Sequence, residues 1–291
     1  MNQLRMLLPR KRLNRSLPVT IMLSVFIGAV AAFMGLPLLF IISNAFKPMD
    51  EIFLFPPRFF VRNPTLDNFY DLVLIFSNSW VPFSRYIFNT FFIAIIGTAG
   101  HVLLASAAAY PLAKIKFRGS AVLFSMVVLS LMFSPHVTAI PNYMTMSWLG
   151  LINHYGALII PAFGYSLGLY LMKQFMEQIP DALLEAAKID GAGEYRVFWS
   201  IVMPTVKPAW LTLIIFSFQQ LWTVNATAQK FIYSEQLKTM DYAFSQILAG
   251  GISRTGAFAA VTLLMMLVPI IVFIVTQSNV IQTMSTSGMK E

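Results

Sequence analysis

GSAVLFSMVVLSLMFSPHVTAIPNYMTMSWLGLINHYGALIIPAFGYSLGLYLM, residues 119–172, runs for 54 residues without an Asp, Glu, Lys or Arg. A helix crossing ~30 Å of hydrocarbon needs about 20 residues at 1.5 Å each, so this tract is long enough for two crossings. Pro141, Asn142, Gly150, Asn153 and His154 in its middle suit a turn or interfacial loop between them. Four further charge-free tracts, 16–46, 86–113, 209–229 and 255–289, fit one crossing each. Their apolar runs are continuous rather than alternating with period two, which selects helices over barrel strands. The pattern predicts an all-α polytopic membrane protein. Its six spans fall at about 19–42, 87–112, 121–140, 156–172, 209–224 and 257–276.

Composition agrees. Hydrophobic residues make up 57% of the 291 and charged ones 11%, against roughly 45–50% and 25% in ordinary globular domains. So few polar side chains cannot cover a water-soluble surface. Cys is absent, which excludes disulfide frameworks, thiolate metal sites and cysteine nucleophiles. A net charge of +8 is compatible with a nucleic-acid partner, but its distribution points elsewhere. Lys and Arg number 13 in residues 1–18, the second and fourth connections and the tail 277–291, against 7 in the other connections. Acids divide six and six, so the two sides carry +7 and +1. The richer side, with both termini, is expected to be cytoplasmic and near anionic headgroups, with no nucleic-acid partner. The basic N-terminus resembles the start of a secretory signal. However, its apolar run continues through Ile42, beyond a 7–15-residue h-region, so a retained first span is expected.

The longest connection on the basic side, residues 173–208, reads KQFMEQIPDALLEAAKIDGAGEYRVFWSIVMPTVKP. Pro180-Asp181 marks a helix start with Asp181 as N-cap, and 182–189 is rich in helix formers. Gly191 sits where a left-handed residue would end that helix. A second short helix, about 194–202, ends at Pro204, and Pro208 opens the next span. Leu183, Leu184, Ala187, Val197 and Phe198 would face inward or toward a partner, with Glu185, Lys188 and Arg196 nearby. An amphipathic knob of this kind can dock into a groove on another protein, or rest on headgroups as an ordinary loop.

Glu185-Ala186-Ala187, Gly191, Ile201 and Pro204 match the EAA–G–I–L-P loop of ABC-transporter permeases, with Met203 in place of the usual Leu. Asp190-Gly191-Ala192, Phe198 and Pro208 extend the match to carbohydrate importers. Asn89-Thr90, Ala108-Ala109-Tyr110, Phe117-Arg118-Gly119, Leu149-Gly150-Leu151-Ile152-Asn153, Gln174-Phe175 and Ile179-Pro180 also resemble the shorter, six-span maltose- and multiple-sugar-type permeases. The resemblance implies a type I importer permease in a bacterial inner membrane. Its implied partners are a second homologous permease, a dimer of ATP-binding subunits carrying ATP and Mg, and an extracytoplasmic sugar-binding protein. No cofactor would be bound by this chain itself. Carried over by position, Glu185, Ala186, Ala187, Asp190, Gly191 and Ala192 form the implied ATPase-coupling site. Two departures stand out. Trp222-Thr223-Val224-Asn225 replaces a Trp-Asn pair, and 286–291 lacks the basic, glycine-rich ending.

The chain has no GxxxxGK[ST] stretch, no HExxH pair and no Gly-x-Ser-x-Gly elbow, so neither ATP hydrolysis nor a catalytic constellation is expected within it. The six expected spans contain no Asp, Glu or Lys, the usual parts of proton and ion relays. This disfavours the alternative of a self-contained, ion-coupled secondary transporter. A sugar path would need polar groups and flat aromatic faces, and Gln219, Gln220, Tyr165 and Trp222 are the candidates. Each has a plainer role, since Gln can bond a neighbouring helix and Trp can sit in an interfacial belt. The segment 44–85 holds Phe53 to Phe60 around Pro56-Pro57, which suits an interfacial turn. A binding protein, the partner permease and the lipid surface all remain open as its contact.

Overall fold

The computed structural model describes residues 17–77, 80–223 and 230–287, with side chains over 18–77, 80–223 and 230–276. The basic cluster Arg5–Arg15, Val224, Asn225 and residues 288–291 lie outside the described residues. Twelve helices carry the architecture: α1 Leu17–Phe46, α2 Asp67–Ser77, α3 Phe83–Lys114, α4 Ser120–Ser130, α5 Pro135–Trp148, α6 Gly156–Phe163, α7 Ser166–Glu177, α8 Asp181–Ile189, α9 Glu194–Thr205, α10 Lys207–Trp222, α11 Met240–Ala249 and α12 Thr255–Ser287. No strand occurs among the described residues.

Four stretches are long and apolar enough to cross a membrane: Pro18–Phe46, Phe83–Lys114, Gly156–Glu177 and Ile252–Thr276. Two bent pairs bring the number to six, α4 with α5 at 112° and α9 with α10 at 77°. The tract expected to form a span at about 121–140 is therefore broken. Ser134 is extended (φ −67°, ψ 142°), as a residue before proline prefers, and Pro135 begins a new helix where its missing N–H costs nothing. At 11 residues, α4 rises only about 16 Å. Pro141 and Asn142, expected in a turn, lie inside α5, and the turn falls later, where Gly150 and Asn153 take φ of 68° and 65°. The fourth expected span runs on to Glu177, past its expected end at residue 172. The last helix continues to Ser287, into the segment expected as a separate tail from 277.

Helix α3 is the spine. Three clusters of buried side chains follow one another along it, with Tyr86 in the first, Ile93 and Ala94 in the second, and Val102, Ala105, Ala109 and Tyr110 in the third. Small residues let its neighbours approach closely. A Cβ at Gly97 would meet Leu221 Cδ1 at 2.5 Å, and one at Gly168 would meet His101 Nε2 at 2.1 Å. In contrast, the most apolar stretch of α1 buries none of its residues within the chain. Such an uncharged helix suits hydrocarbon around it.

Candidate coupling surface and solute path

The knob of residues 178–206 sits at the Lys114 end of α3. Helix α8 starts after Pro180, so Asp181 is its first residue and not its cap. Pro180 takes the extended cap conformation (φ −60°, ψ 131°), and the Asp181 carboxylate pairs instead with Lys114 Nζ at 2.7 Å. The same ammonium donates to Ile179 O (2.5 Å) and Glu177 O (3.3 Å), carbonyls at the end of α7. One lysine thus ties the root of the knob to the spine.

The far end of α8 closes in a Schellman turn. Gly191 N–H donates to Lys188 O (3.0 Å) and Ala192 N–H to Ala187 O (2.9 Å), while Gly191 holds φ 81°. Ala187 and Ala192, brought together by this turn, both pack on the cluster around Leu184, Val197, Phe198 and Val202. Glu194 then fixes the second arm. It accepts from Lys188 Nζ (2.5 Å) on one oxygen and from the Tyr110 hydroxyl (2.6 Å) on the other. Hydrogen bonding from Lys188, and secondarily from Tyr110, holds the Glu194 carboxyl below its ordinary range. The Lys114 ammonium does the same for Asp181.

Inward residues of the knob are Leu184, Val197 and Phe198, whereas Leu183 is exposed. Outward lie Ile189, 86% exposed, Tyr195 at 78%, and Trp199. Glu185, Ala186, Asp190 and Gly191 are exposed as well, and Ala187 and Ala192 are half-buried. Glu185 makes no ion pair among the described residues. The six implied coupling residues therefore share one compact turn. It carries an apolar tip and free charge, braced from behind by Tyr110 and Lys114. Both braces lie more than 60 residues away in sequence from what they hold, and no local pattern announces them.

The four solute-path candidates do not converge. Trp222 is buried, stacks against Phe218 and donates its indole N–H to Met265 O at 2.9 Å. It joins α10 to α12, which removes it from the candidate path. Tyr165 lies half-buried at the break between α6 and α7, edge-on to His101. Gln220 is exposed on α10. Gln219 lines a cavity of about 210 Å³ with Ile215, Phe218, Pro269, Ile270, Val272 and Phe273. One amide in an apolar wall can orient a single hydroxyl, but it is a sparse site for a sugar.

At the opposite end of α3, Asn89 is fully buried. Its amide donates to Gln236 O (2.8 Å) and Lys238 O (2.7 Å) and accepts from the Tyr155 hydroxyl (2.6 Å). Thr90 Oγ1 accepts the Met240 N–H at 2.8 Å. These bonds clamp the connection before α11 onto the spine. The Asn89-Thr90 pair was visible in the sequence, though its partners were not.

A bundle of broken and continuous apolar helices around one spine, with a braced knob at one end, is the architecture of a polytopic membrane protein. The chain belongs to the family of binding-protein-dependent transport system inner membrane components, which matches residues 101–285. It is 36% identical over 202 residues to Protein LplC of Bacillus subtilis, covering 68% of this chain and 64% of that one. The chain thus spans under two thirds of that relative's length. It is 28% identical over 257 residues to the sulfoquinovosyl glycerol transport system permease protein SmoH of Agrobacterium fabrum, covering 87% and 88%. Its fold is similar to that of a bacterial ABC transporter involved in the import of the acidic polysaccharide alginate. That likeness has a TM-score of 0.77 at 20% identity, over 89% of this chain and 95% of the other.

Proposed function

We propose that this chain is the membrane-spanning permease subunit of an ATP-driven importer that carries a carbohydrate, an oligosaccharide, into the cytoplasm. Both termini and the knob face the cytoplasm, on the side richer in Lys and Arg. Glu185, Ala186, Ala187, Asp190, Gly191 and Ala192 dock into a subunit of an ATP-hydrolysing dimer, which carries ATP and Mg. A second, homologous permease completes the pathway, and an extracytoplasmic binding protein delivers the sugar. The single observation that carries this reading is the braced knob, exposed at Ile189 yet tied to the spine through Glu194–Tyr110 and Asp181–Lys114. A lever that transmits motion must be firm at its root and free at its tip. Support for a carbohydrate comes from the relatives, among them a permease of a sulfoquinovosyl glycerol system.

Gly191→Leu tests the assignment. A Cβ at φ 81° costs about 1–2 kcal/mol, and the side chain crowds the turn that presents the tip. The expected outcome is lost ATPase association and transport with membrane insertion intact. Unchanged ATPase association and transport would show that the knob is not the docking site. Uptake driven by an ion gradient without any ATPase would favour a self-contained carrier.

A further inference from the structure

The connection between α1 and α2 is a closed flap held from inside by two buried charged side chains, Lys47 and Glu51. Lys47 is buried, and its ammonium donates to Asn44 Oδ1 (2.8 Å) and Arg58 O (2.5 Å). Glu51, also buried, accepts the backbone N–H groups of Arg62 (2.9 Å) and Asn63 (3.4 Å). Asn68 draws the base shut by donating to Ala45 O (3.0 Å) and Lys47 O (2.7 Å), and Thr65 N–H reaches Phe46 O at 2.9 Å. What the flap turns outward is apolar: Phe53, Leu54, Phe59, Phe60 at 71% exposure and Phe55 at 94%. A water-facing loop held this firmly would not display five such side chains within eight residues.

Where the flap hangs decides what covers it. Phe59 packs against Phe40 with ring centroids 5.4 Å apart, and Lys47 Nζ lies 5.2 Å from the same Phe40 ring. The flap therefore folds back along α1 instead of projecting from its end. Phe40 lies six residues before the helix ends at Phe46, about 9 Å along the axis. With 30 residues, α1 is about 45 Å long, the thickness of a whole bilayer including its headgroups. The hydrocarbon boundary then lies about 7 Å inside each end, close to the level of Phe40 and Phe59. Arg58 and Arg62 are exposed on the flap, against one exposed acid, Asp50. Their long stems can carry the guanidinium groups up to phosphates while the rings stay below.

We infer that the flap at residues 53–60 is a lipid anchor, seating Phe55 and Phe60 in the bilayer leaflet next to the Phe46 end of α1 with Arg58 and Arg62 at its phosphates. A soluble protein approaching from water does not reach this depth. The inference rests on the membrane placement of α1 and is independent of the coupling proposal.

The chain has no Cys, so Phe55→Cys, Phe60→Cys and Phe33→Cys each accept one spin label, in the assembled transporter with cysteine-free partners. Phe33 is exposed mid-way along α1 and reports hydrocarbon. In nanodiscs of phosphatidylethanolamine and phosphatidylglycerol, molecular oxygen should relax the labels at 55 and 60 more strongly than a water-soluble nickel chelate does, as at 33. Stronger relaxation by the chelate at 55 and 60, with 33 still lipid-like, would overturn the anchor. Weak relaxation by both agents would overturn it too, because the flap would then be covered by protein. A water-like reading at 33 would remove the placement of α1 and the inference with it.

Discussion

The two ends of α3 are held by different chemistry. At the knob end the ties are ionic and open to water on the carboxylate side: Asp181, whose side chain is 74% exposed, on Lys114, whose side chain is 7% exposed, and the half-exposed Glu194 between Lys188 and the buried Tyr110. At the opposite end the innermost ties are neutral and buried, the Asn89 amide on two carbonyls and a hydroxyl and Thr90 on the Met240 N–H, while outside them Glu235 accepts from the Tyr86 hydroxyl at 2.7 Å and pairs with Lys238. Water screens and replaces the first kind readily, whereas breaking the second strands buried polar groups. Ties that give at the knob and hold at the far end are what the proposed coupling role requires.

The largest effect should come from the dry end. Asn89→Leu removes the amide's bonds to Gln236 O, Lys238 O and the Tyr155 hydroxyl, of which Gln236 O and the Tyr155 hydroxyl keep Arg85 as a second partner. The three partners are half-buried or exposed, so each lost bond costs about 1 kcal/mol, about 3 kcal/mol in total. Thermal melting of the purified protein in detergent should show a large fall, and an unchanged melting temperature would remove the contrast between the two ends.

A second dry-end group sharpens it with the opposite sign. Burial raises the Asp241 carboxyl to about 6 from an ordinary 3.8, and its Oδ2 has no hydrogen-bond partner. At pH 7 the folded chain must hold a buried carboxylate that the unfolded chain leaves in water. Stability therefore declines as pH rises from about 4 to 6 and stays low above that. Asp241→Asn should stabilise at pH 7 by on the order of 2–3 kcal/mol and do little at pH 4. Melting curves at the two pH values decide, and equal shifts at both would refute the assignment.

Smaller effects belong to the knob. Tyr110→Phe removes one hydrogen bond to a half-exposed carboxylate, worth about 1 kcal/mol. Melting should barely move, while the sugar transported per ATP hydrolysed falls in reconstituted vesicles. An unaltered ratio would break the link between brace and lever. Smallest is the acid response of Asp181. Its carboxyl is held below 3.8 by Lys114, so the pair contributes fully above that value and is lost as pH falls through the lowered one. Limited proteolysis near pH 3 should cut around α8 before α11, and high salt should loosen the same segment. Equal loosening of both segments would argue against a wet end and a dry end.

The sequence carried the helical class and the approximate crossings because hydropathy and charge report burial in lipid directly. It also carried the Gly191 turn, since a left-handed position after a run of helix formers has a local signature. Hydropathy has no direction, however, so the 112° bend between α4 and α5 was hidden in a uniformly apolar tract, although Ser134-Pro135 marked the place. In a membrane protein both the core and the lipid face are apolar, so periodicity could not tell that Trp222 packs inside the chain. Nor could spacing reveal that Tyr110 braces Glu194 or that Phe59 folds back on Phe40.

The central claim is that the knob tip meets an ATP-hydrolysing subunit. Ile189→Cys places the only thiol of the chain at that tip. With the transporter purified from its native membrane, a short bifunctional reagent should join residue 189 to the ATPase, and adding Gly191→Leu should abolish the product. A chain that purifies and transports without an ATPase, or an ATPase present but never joined through residue 189, would contradict the account.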